Sequence, residues 1–319
     1  MHYLIRHVTR FRYSDPVRES VMEVRMQPRT EGTQRCLRFE LRTNPKATIA
    51  AFQDHLRNHV HCFDIPDRHT HLTITAEALV ETGPAPPLPH ALGEDAWSAL
   101  DAMTATDEYW DLLAPSTFTE STDLLRTLAR EVHLGRTTDP LTAVRELTTA
   151  IHDAFEYDTQ TTEVNSPIDE ALASRHGVCQ DFSHIMIALV RQLGIPCRYV
   201  SGYLYHRTED HDRSLRDASH AWVEALFPTL GWVGFDPTND LVVGDRHVRA
   251  AVGRDYADVP PTRGVFKGRA ETELAVVVRV TPAEAPVLEE PDEEEEPTYR
   301  YTTDIGQVSG EDLQDQPQQ

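Results

Sequence analysis

The residue in this chain with the clearest chemical potential is Cys179, which follows Gly177 by two positions and begins an apolar-periodic segment. Apolar residues recur at helical spacing up to Leu193, and Gly194 followed by Pro196 is a typical helix end. The pattern therefore predicts a helix that begins at Cys179. The unpaired N–H groups and the dipole at such an end stabilise negative charge, which favours the nucleophilic thiolate over the thiol.

A cysteine nucleophile needs a base for its proton and a group that orients the base. His220 lies near the start of a β-prone segment and Asp236 near the end of the next, with a turn signal at residues 228–231 between them. Antiparallel pairing of these segments would bring the two side chains together. We therefore interpret Cys179 as the nucleophile, His220 as the general base and Asp236 as the orienting carboxylate. The backbone N–H of Cys179 is expected to donate to the substrate oxyanion, and Tyr157 is a candidate for the second donor.

Other residues near these three have structural as well as functional interpretations. Asp236 precedes a proline, so it can be a turn residue, and this role is compatible with orienting His220. Asp181 and His184 lie on the same predicted helix as Cys179. They can assist the chemistry or form hydrogen bonds and packing contacts near the helix end, and the sequence leaves both alternatives open.

Two groups of polar residues raise the question of a metal site. Histidines and Cys62 cluster between residues 55 and 71, but their spacing fits no standard zinc pattern, and strand alternation divides the side chains between two faces. The loop around Asp210 and Asp212 lacks the spacing of an EF-hand. We therefore expect a polar β surface in the first region, no bound metal and no cofactor.

The chain has 319 residues and a net charge of −22, and no basic stripe interrupts this acidic character. Nucleic acids and anionic membranes are therefore not expected as partners. No apolar stretch approaches the length of a membrane span, and the N-terminal residues contain no apolar segment typical of a secretory signal. The four cysteines show neither paired nor CxxC spacing, which favours free thiols and a cytoplasmic location.

Changes in composition divide the chain into four segments. Residues 1–82 alternate between apolar and polar side chains in several β-prone runs, with a turn predicted at residues 14–16, and we expect an N-terminal antiparallel β domain. Residues 83–93 form a proline-rich linker, and residues 94–281 form the catalytic core. Residues 282–319 carry half of the net charge and few apolar side chains, so a disordered acidic tail is expected there.

The core combines helix signals with strand signals, which predicts an α+β fold. Helix start signals occur at Ser121-Thr122-Asp123, at Asp139 before a proline, and at Ser166 before another proline. Four β-prone segments follow the predicted Cys179 helix, at residues 197–205, 219–227, 232–238 and 271–280.

Four short motifs include or adjoin the predicted catalytic residues: GVCQD at 177–181, LGIPCRYVSGY at 193–203, SHAWVE at 219–224 and GWVGFDPT at 231–238. Together they resemble the core of the transglutaminase-like superfamily. Two further motifs, HVTRFRYSDPV at 7–17 and GRDYADVPP at 253–261, resemble a bacterial branch in which a β-rich domain precedes this core.

This resemblance covers nearly all of residues 1–281. It implies a papain-like core with a catalytic triad at Cys179, His220 and Asp236. The chain departs from the family at Cys197, where a small residue such as alanine is usual, and this difference leaves the chemistry unaffected.

The resemblance also implies a thiol enzyme that acts on amide bonds of peptides or protein side chains through a thioester. Resolution of the thioester by water would make it a cysteine peptidase, an amidase or a deamidase, and resolution by a primary amine would make it an acyltransferase. We favour hydrolysis or amide exchange on a peptide or protein substrate, with a protein-glutamine gamma-glutamyltransferase as the alternative. An alternative of another class is a non-catalytic scaffold on the same fold, because several superfamily members lack the triad.

Overall fold

The structure is a computed structural model that describes residues 1–207 and 209–285 and the backbone of residues 313–315. The chain divides into two compact units, one formed by Met1–Thr82 with Pro261–Gln319 and the other by Gly83–Pro260. The chain therefore leaves the first unit after residue 82 and returns to it at residue 261.

The secondary structure is rich in strands and contains six α-helices within the described ranges. The strands are β1 (His2–Val24), β2 (Gln34–Asn44), β3 (Ile49–Gln53), β4 (His59–Ile65), β5 (His69–Thr82), β6 (Glu156–Tyr157), β7 (His176–Gly177), β8 (Cys197–Leu204), β9 (His220–Phe227), β10 (Gly231–Asp236), β11 (Leu241–Val242), β12 (His247–Gly253), β13 (Thr262–Lys267), β14 (Thr272–Pro282) and β15 (Leu313–Asp315). The helices are α1 (Ala96–Thr104), α2 (Trp110–Leu113), α3 (Asp123–Glu131), α4 (Pro140–Ala154), α5 (Ile168–Ser174) and α6 (Cys179–Gln192).

The first unit is built on an antiparallel sheet in which the long strand β1 has a different pair of neighbours in each half. Its first half pairs with β5 and β14, and its second half pairs with β4 and β13. Side chains along β5 alternate between buried and more exposed positions, as expected for a strand with one face on a core. Phe11, Leu72 and Phe266 lie in that core.

The predicted turn at residues 14–16 is wrong, because β1 continues through these residues. The register against β5 passes from Arg12 opposite His71 to Val17 opposite His69, so the residues between Arg12 and Val17 form a bulge. A bulge tolerates Pro16, since its missing N–H is not required by the ladder there. Strand pairing on both sides of the bulge keeps the backbone extended overall.

The predicted end of the catalytic core at residue 281 is also wrong. Strand β14 pairs with β1 from Tyr3 opposite Pro282 to Tyr13 opposite Thr272, so it belongs to the sheet of the first unit. An alternating pattern predicts a strand but does not identify its partner. The predicted tail, residues 282–319, lies largely outside the described residues. Within it, the backbone of β15 pairs antiparallel with β13.

The second unit contains a five-stranded antiparallel sheet in the order β11-β10-β9-β8-β12. Helix α6 packs against β8 and β9 on one side and contacts α3, α4 and α5 on others. All residues from Gln180 to Arg191 are buried, whereas the sequence pattern predicted a single apolar face. The helix is enclosed by the sheet and three helices, so its polar positions are buried as well.

Local helix signals agree with the structure at three ends. The Thr122 side chain accepts a hydrogen bond from the N–H of Leu125, and the Asp139 carboxylate accepts one from the N–H of Leu141, as N-cap residues do. Gly194 has a φ of +75° just after α6, the left-handed conformation expected of a helix-ending glycine. Among the described residues, no helix has the length and apolar character required to cross a membrane.

Candidate active site

Cys179 is the first residue of α6 and is half-buried. The turn before it is held by Asp181, whose Oδ2 accepts a hydrogen bond from the N–H of Val178 at 2.8 Å and from Thr162 Oγ1 at 2.6 Å. A Cβ at Gly177 would lie 2.8 Å from the same oxygen, so this close approach requires glycine. Asp181 is therefore a helix-end hydrogen-bonding residue that orients the turn carrying Cys179.

His220 and Asp236 meet at one end of the β9–β10 pair, as predicted. His220 is the first residue of β9 and Asp236 is the last of β10, and the antiparallel register places Phe235 opposite Val223. Nε2 of His220 lies 2.7 Å from Oδ2 of Asp236, and both side chains are buried. The two strands therefore position a histidine–carboxylate pair.

The carboxylate of Asp236 accepts hydrogen bonds on both oxygens. Oδ1 accepts from the backbone N–H groups of Thr238 at 3.0 Å and Asn239 at 3.3 Å, which is an Asx-turn arrangement. Oδ2 accepts from Asn239 Nδ2 at 2.8 Å, and Nε2 of His247 lies 3.2 Å from it. Burial opposes ionisation, but His220 and His247 hold the pKa of Asp236 well below its usual range. Asp236 is thus both a turn residue and a carboxylate bonded to His220.

The second ring nitrogen of His220, Nδ1, is buried and has no hydrogen-bond partner among the described residues. Burial disfavours the charged ring, but the carboxylate of Asp236 and the nearby sulfur of Cys179 raise the pKa of His220 above its usual value. Because Nε2 contacts Asp236, Nδ1 is the nitrogen that remains for the thiol proton.

His184, for which a functional role was open, is a core residue. Its Nε2 accepts a hydrogen bond from the N–H of Tyr256 at 3.1 Å, and its ring stacks on Phe118 with an interplanar angle of 4°. Burial lowers the pKa of His184 to about 3, so the ring is neutral at physiological pH. These contacts assign His184 to packing between α6 and its neighbours.

Tyr157 lies on β6, which pairs in parallel with β7 immediately before Cys179. Its hydroxyl oxygen accepts a hydrogen bond from the N–H of Leu215 at 3.4 Å, so the hydroxyl proton can still be donated. Burial and, second, the charge of Cys179 raise the pKa of Tyr157 above its usual value. The structure therefore places Tyr157 near the thiol, where it stays a candidate oxyanion donor.

Two residues in the hydrogen-bond shell of Asp236, Asn239 and His247, were not found from the sequence. Asn239 lies three residues after Asp236, and an Asp followed by Pro-Thr-Asn is a local turn signal that could have identified it. His247 gives no local signal. It reaches Asp236 because residues 243–246 carry the chain from β11 at one edge of the sheet to β12 at the other.

His220, Asp236 and His247 are also residue types that bind metals, and one ligand atom from each lies within 4.8 Å of the others. Both histidines approach Oδ2 of Asp236 with Nε2, at distances of 2.7 and 3.2 Å. These are hydrogen-bond distances between the would-be ligands themselves. The arrangement therefore fits a hydrogen-bonded cluster.

A polar surface cavity of about 420 Å³ lies in the loop that contacts the first turn of α6, and it is lined by residues 160–163, 165–167 and Glu170. Thr162 in this loop donates to Asp181, and Gln180 Nε2 donates to the carbonyl of Val164 at 2.8 Å. The loop around the cavity is thus bonded to the helical turn that begins with Cys179.

Comparison with known families finds two matches along the chain. Residues 126–237 match the Transglutaminase-like superfamily, and residues 3–81 match the Bacterial transglutaminase-like N-terminal region. The order of the two regions is the one that the sequence motifs predicted.

Individual relatives extend these matches. An uncharacterized protein of Mycobacterium leprae is 33% identical over 276 residues, which cover 86% of this chain and 96% of that protein. A protein-glutamine gamma-glutamyltransferase of Pseudomonas aeruginosa is 32% identical over 92 residues, 27% of this chain and 14% of that protein. The structure of a candidate cysteine protease from Cytophaga hutchinsonii aligns with a TM-score of 0.69 at 22% identity, over 90% of this chain and 92% of that one. The predicted α+β fold, with an antiparallel N-terminal β domain and a papain-like core, is confirmed.

Proposed function

Because this chain belongs to the transglutaminase-like superfamily, we propose that it is a thiol enzyme that acts on amide bonds through Cys179, His220 and Asp236. The observation that carries the proposal is the 2.7 Å contact between His220 Nε2 and Asp236 Oδ2, which leaves Nδ1 of His220 without a partner among the described residues. A base oriented by a carboxylate near a half-buried thiol is the arrangement that thiol catalysis requires.

In the first half of the reaction, Nδ1 of His220 takes the proton of Cys179, and the sulfur attacks the carbonyl carbon of a peptide or side-chain amide. The tetrahedral oxyanion is stabilised by the backbone N–H of Cys179, with the Tyr157 hydroxyl as the second donor. The C–N bond then breaks, and His220 gives its proton to the leaving amine or ammonia. The product on the enzyme is a thioester.

In the second half, His220 takes a proton from the incoming nucleophile as that nucleophile forms a bond to the thioester carbonyl carbon. The C–S bond then breaks, the acyl product leaves, and His220 returns the proton to the sulfur of Cys179. We propose water as the nucleophile, which makes the enzyme a cysteine hydrolase for peptide or protein substrates. The second candidate is a primary amine as co-substrate, and it is favoured by the relative from Pseudomonas aeruginosa, which is named a protein-glutamine gamma-glutamyltransferase.

Mass spectrometry of products distinguishes these candidates. Wild type and Cys179→Ala are incubated with glutamine-containing peptides and a tagged primary amine. Cleaved or deamidated peptide from the wild type alone is the expected result, and tagged peptide would indicate amine transfer. The matched control is Cys62→Ala, because Cys62 is half-buried like Cys179 but lies on β4.

Alkylation rates test the scaffold alternative without a substrate. We expect iodoacetamide at neutral pH to modify Cys179 at least about tenfold faster than Cys36 or Cys62. Burial raises the pKa of Cys36 to about 11 and also raises the pKa of Cys62, so both react slowly. A rate for Cys179 no higher than theirs would favour a non-catalytic scaffold.

We also propose that the protein acts in the cytoplasm, with no nucleic-acid or membrane partner. All four cysteines are free in the structure, which supports a reducing compartment. Fractionation of cells that express the tagged full chain tests this location, and recovery with membranes or outside the cell would contradict it.

A further inference from the structure

His247 is a buried residue whose ring is held on both nitrogens. Its side chain is 2% exposed, and Nε2 lies 3.2 Å from Oδ2 of Asp236, the oxygen that His220 also contacts. On the other side of the ring, the N–H of Gly244 donates to Nδ1 at 3.5 Å. Since Nδ1 accepts this bond, the proton of the neutral ring lies on Nε2 and is donated to Asp236.

The charges around His247 are consistent with a neutral ring. Asp236 on β10 and His220 on β9 face it, and Arg246 is its neighbour in the chain. Burial is the largest influence and, with the positive charges of His220 and Arg246, lowers the pKa of His247 despite the attraction of Asp236. A neutral His247 adds a directed hydrogen bond without adding a second positive charge beside His220.

The orientation of His247 is also fixed by packing. The ring meets the indole of Trp222 edge-on, with centroids 5.2 Å apart and an interplanar angle of 75°. Trp222 fits because residue 202 is glycine, since a Cβ there would lie 2.6 Å from the indole. The direction of the Nε2 hydrogen bond is thus set by packing against Trp222 on β9, for which Gly202 on β8 leaves room.

We propose that His247 is a positioning residue that holds Oδ2 of Asp236 for its hydrogen bond with His220. The inference rests on the proposed function, because it assigns a role in orienting the base of Cys179. His247 is not a second base, since one nitrogen already donates to Asp236 and the other accepts from Gly244.

The test measures iodoacetamide alkylation of Cys179 in the full chain for wild type, His247→Leu and His247→Gln. Leucine removes the donor, whereas the glutamine amide can place an N–H near the position of Nε2. We expect alkylation to slow by about tenfold to a hundredfold in the leucine variant, the range expected for losing a hydrogen bond to a charged group. In the glutamine variant, we expect the logarithm of the alkylation rate to fall by no more than about half as much as in the leucine variant.

The outcomes separate this inference from the proposed function. If wild-type Cys179 reacts no faster than Cys62, the proposed function fails. If wild-type Cys179 is fast and both variants match it, or both are slowed equally, the positioning role is overturned, because packing alone does not distinguish an amide donor from leucine. Should the leucine variant fail to fold by circular dichroism, His247→Met replaces it as the donor-free variant, since methionine adapts to irregular cavities.

Discussion

Two fully buried carboxylates lie on neighbouring strands of the same sheet, Glu224 on β9 and Asp236 on β10, and their partners differ in kind. Glu224 is paired with Arg198, whose Nε lies 2.8 Å from Oε2, and with Arg249 on the other oxygen. Asp236 is bonded instead to His220 and to backbone and side-chain N–H groups. The pKa of each carboxyl is lowered by its partners against the effect of burial.

The difference shows why burial and a low pKa do not by themselves identify a catalytic carboxylate. Guanidinium groups remain charged throughout the physiological range, so the Glu224 cluster is a permanent ion pair. An imidazole can gain or lose a proton near neutral pH, and His220 keeps one nitrogen unbonded within the described structure. A buried carboxylate can assist proton transfer when its partner is able to gain and lose a proton. That partner must also keep a second nitrogen that can reach the reacting group.

The largest expected effect is on activity, from Asp236→Asn. We expect kcat/KM to fall by about four orders of magnitude, because the amide neither stabilises charged His220 nor holds the correct tautomer. Peptide turnover followed by mass spectrometry measures this, and circular dichroism checks the fold. Activity within about tenfold of wild type would contradict the proposed role of Asp236 in orienting His220.

Glu224→Gln is the counterpart in the other cluster, and its expected effect is on stability. Removing this charge takes away the buried carboxylate that Arg198 and Arg249 both contact, which we expect to lower the free energy of unfolding by about 3 kcal/mol. Urea unfolding measures the change. The kcat/KM of the folded fraction should equal that of wild type. A loss of activity in folded protein would contradict a purely structural role for the Glu224 ion pairs.

The stability difference between wild type and Glu224→Gln should depend on pH. The pKa of Glu224 is lowered to about 2 in the folded chain, mainly by Arg198 acting against burial. A lowered pKa means that the stabilisation is present above the unfolded value of about 4.3 and is lost as the pH falls toward the folded value. Unfolding by urea at pH 7 and pH 3 should therefore show a smaller difference at pH 3, and a constant difference would contradict the ion-pair assignment.

The smallest expected effect comes from Arg198→Lys. Lysine keeps the charge but loses the paired contacts of Nε and Nη2 with Oε2 of Glu224, and it stacks less well over Trp232, whose ring centroid lies 4.5 Å from the guanidinium. We expect a loss of about 1 kcal/mol in the free energy of unfolding, with unchanged kcat/KM. Arg126→Lys, at an exposed arginine, is the control and should change the free energy of unfolding little.

Much of the candidate site could be predicted because its strongest signals are local. The helix that begins at Cys179 and the turn between β9 and β10 depend on residues close in sequence, and both agree with the structure. The catalytic roles of Cys179, His220 and Asp236 stay predictions until the variants are measured.

Other features could not be predicted because their partners are distant in the chain. Residues 14–16 carry a turn signal, but pairing on both sides of the bulge keeps them in β1. Strand β14 was assigned to the core by its position in sequence, and only its pairing with β1 shows where it belongs.

The sequence by itself determined the helix start at Cys179, the Asx turn at Asp236 and the alternating strands, since these follow from periodicity and from hydrogen bonds between near neighbours. The tertiary structure alone decided that His247 meets Asp236 and that Glu224 meets two arginines. Those contacts depend on the order of strands in the sheet, which brings together side chains that no local pattern relates. The physical reason is that a buried polar group must find a partner, and the fold determines which residues are within reach.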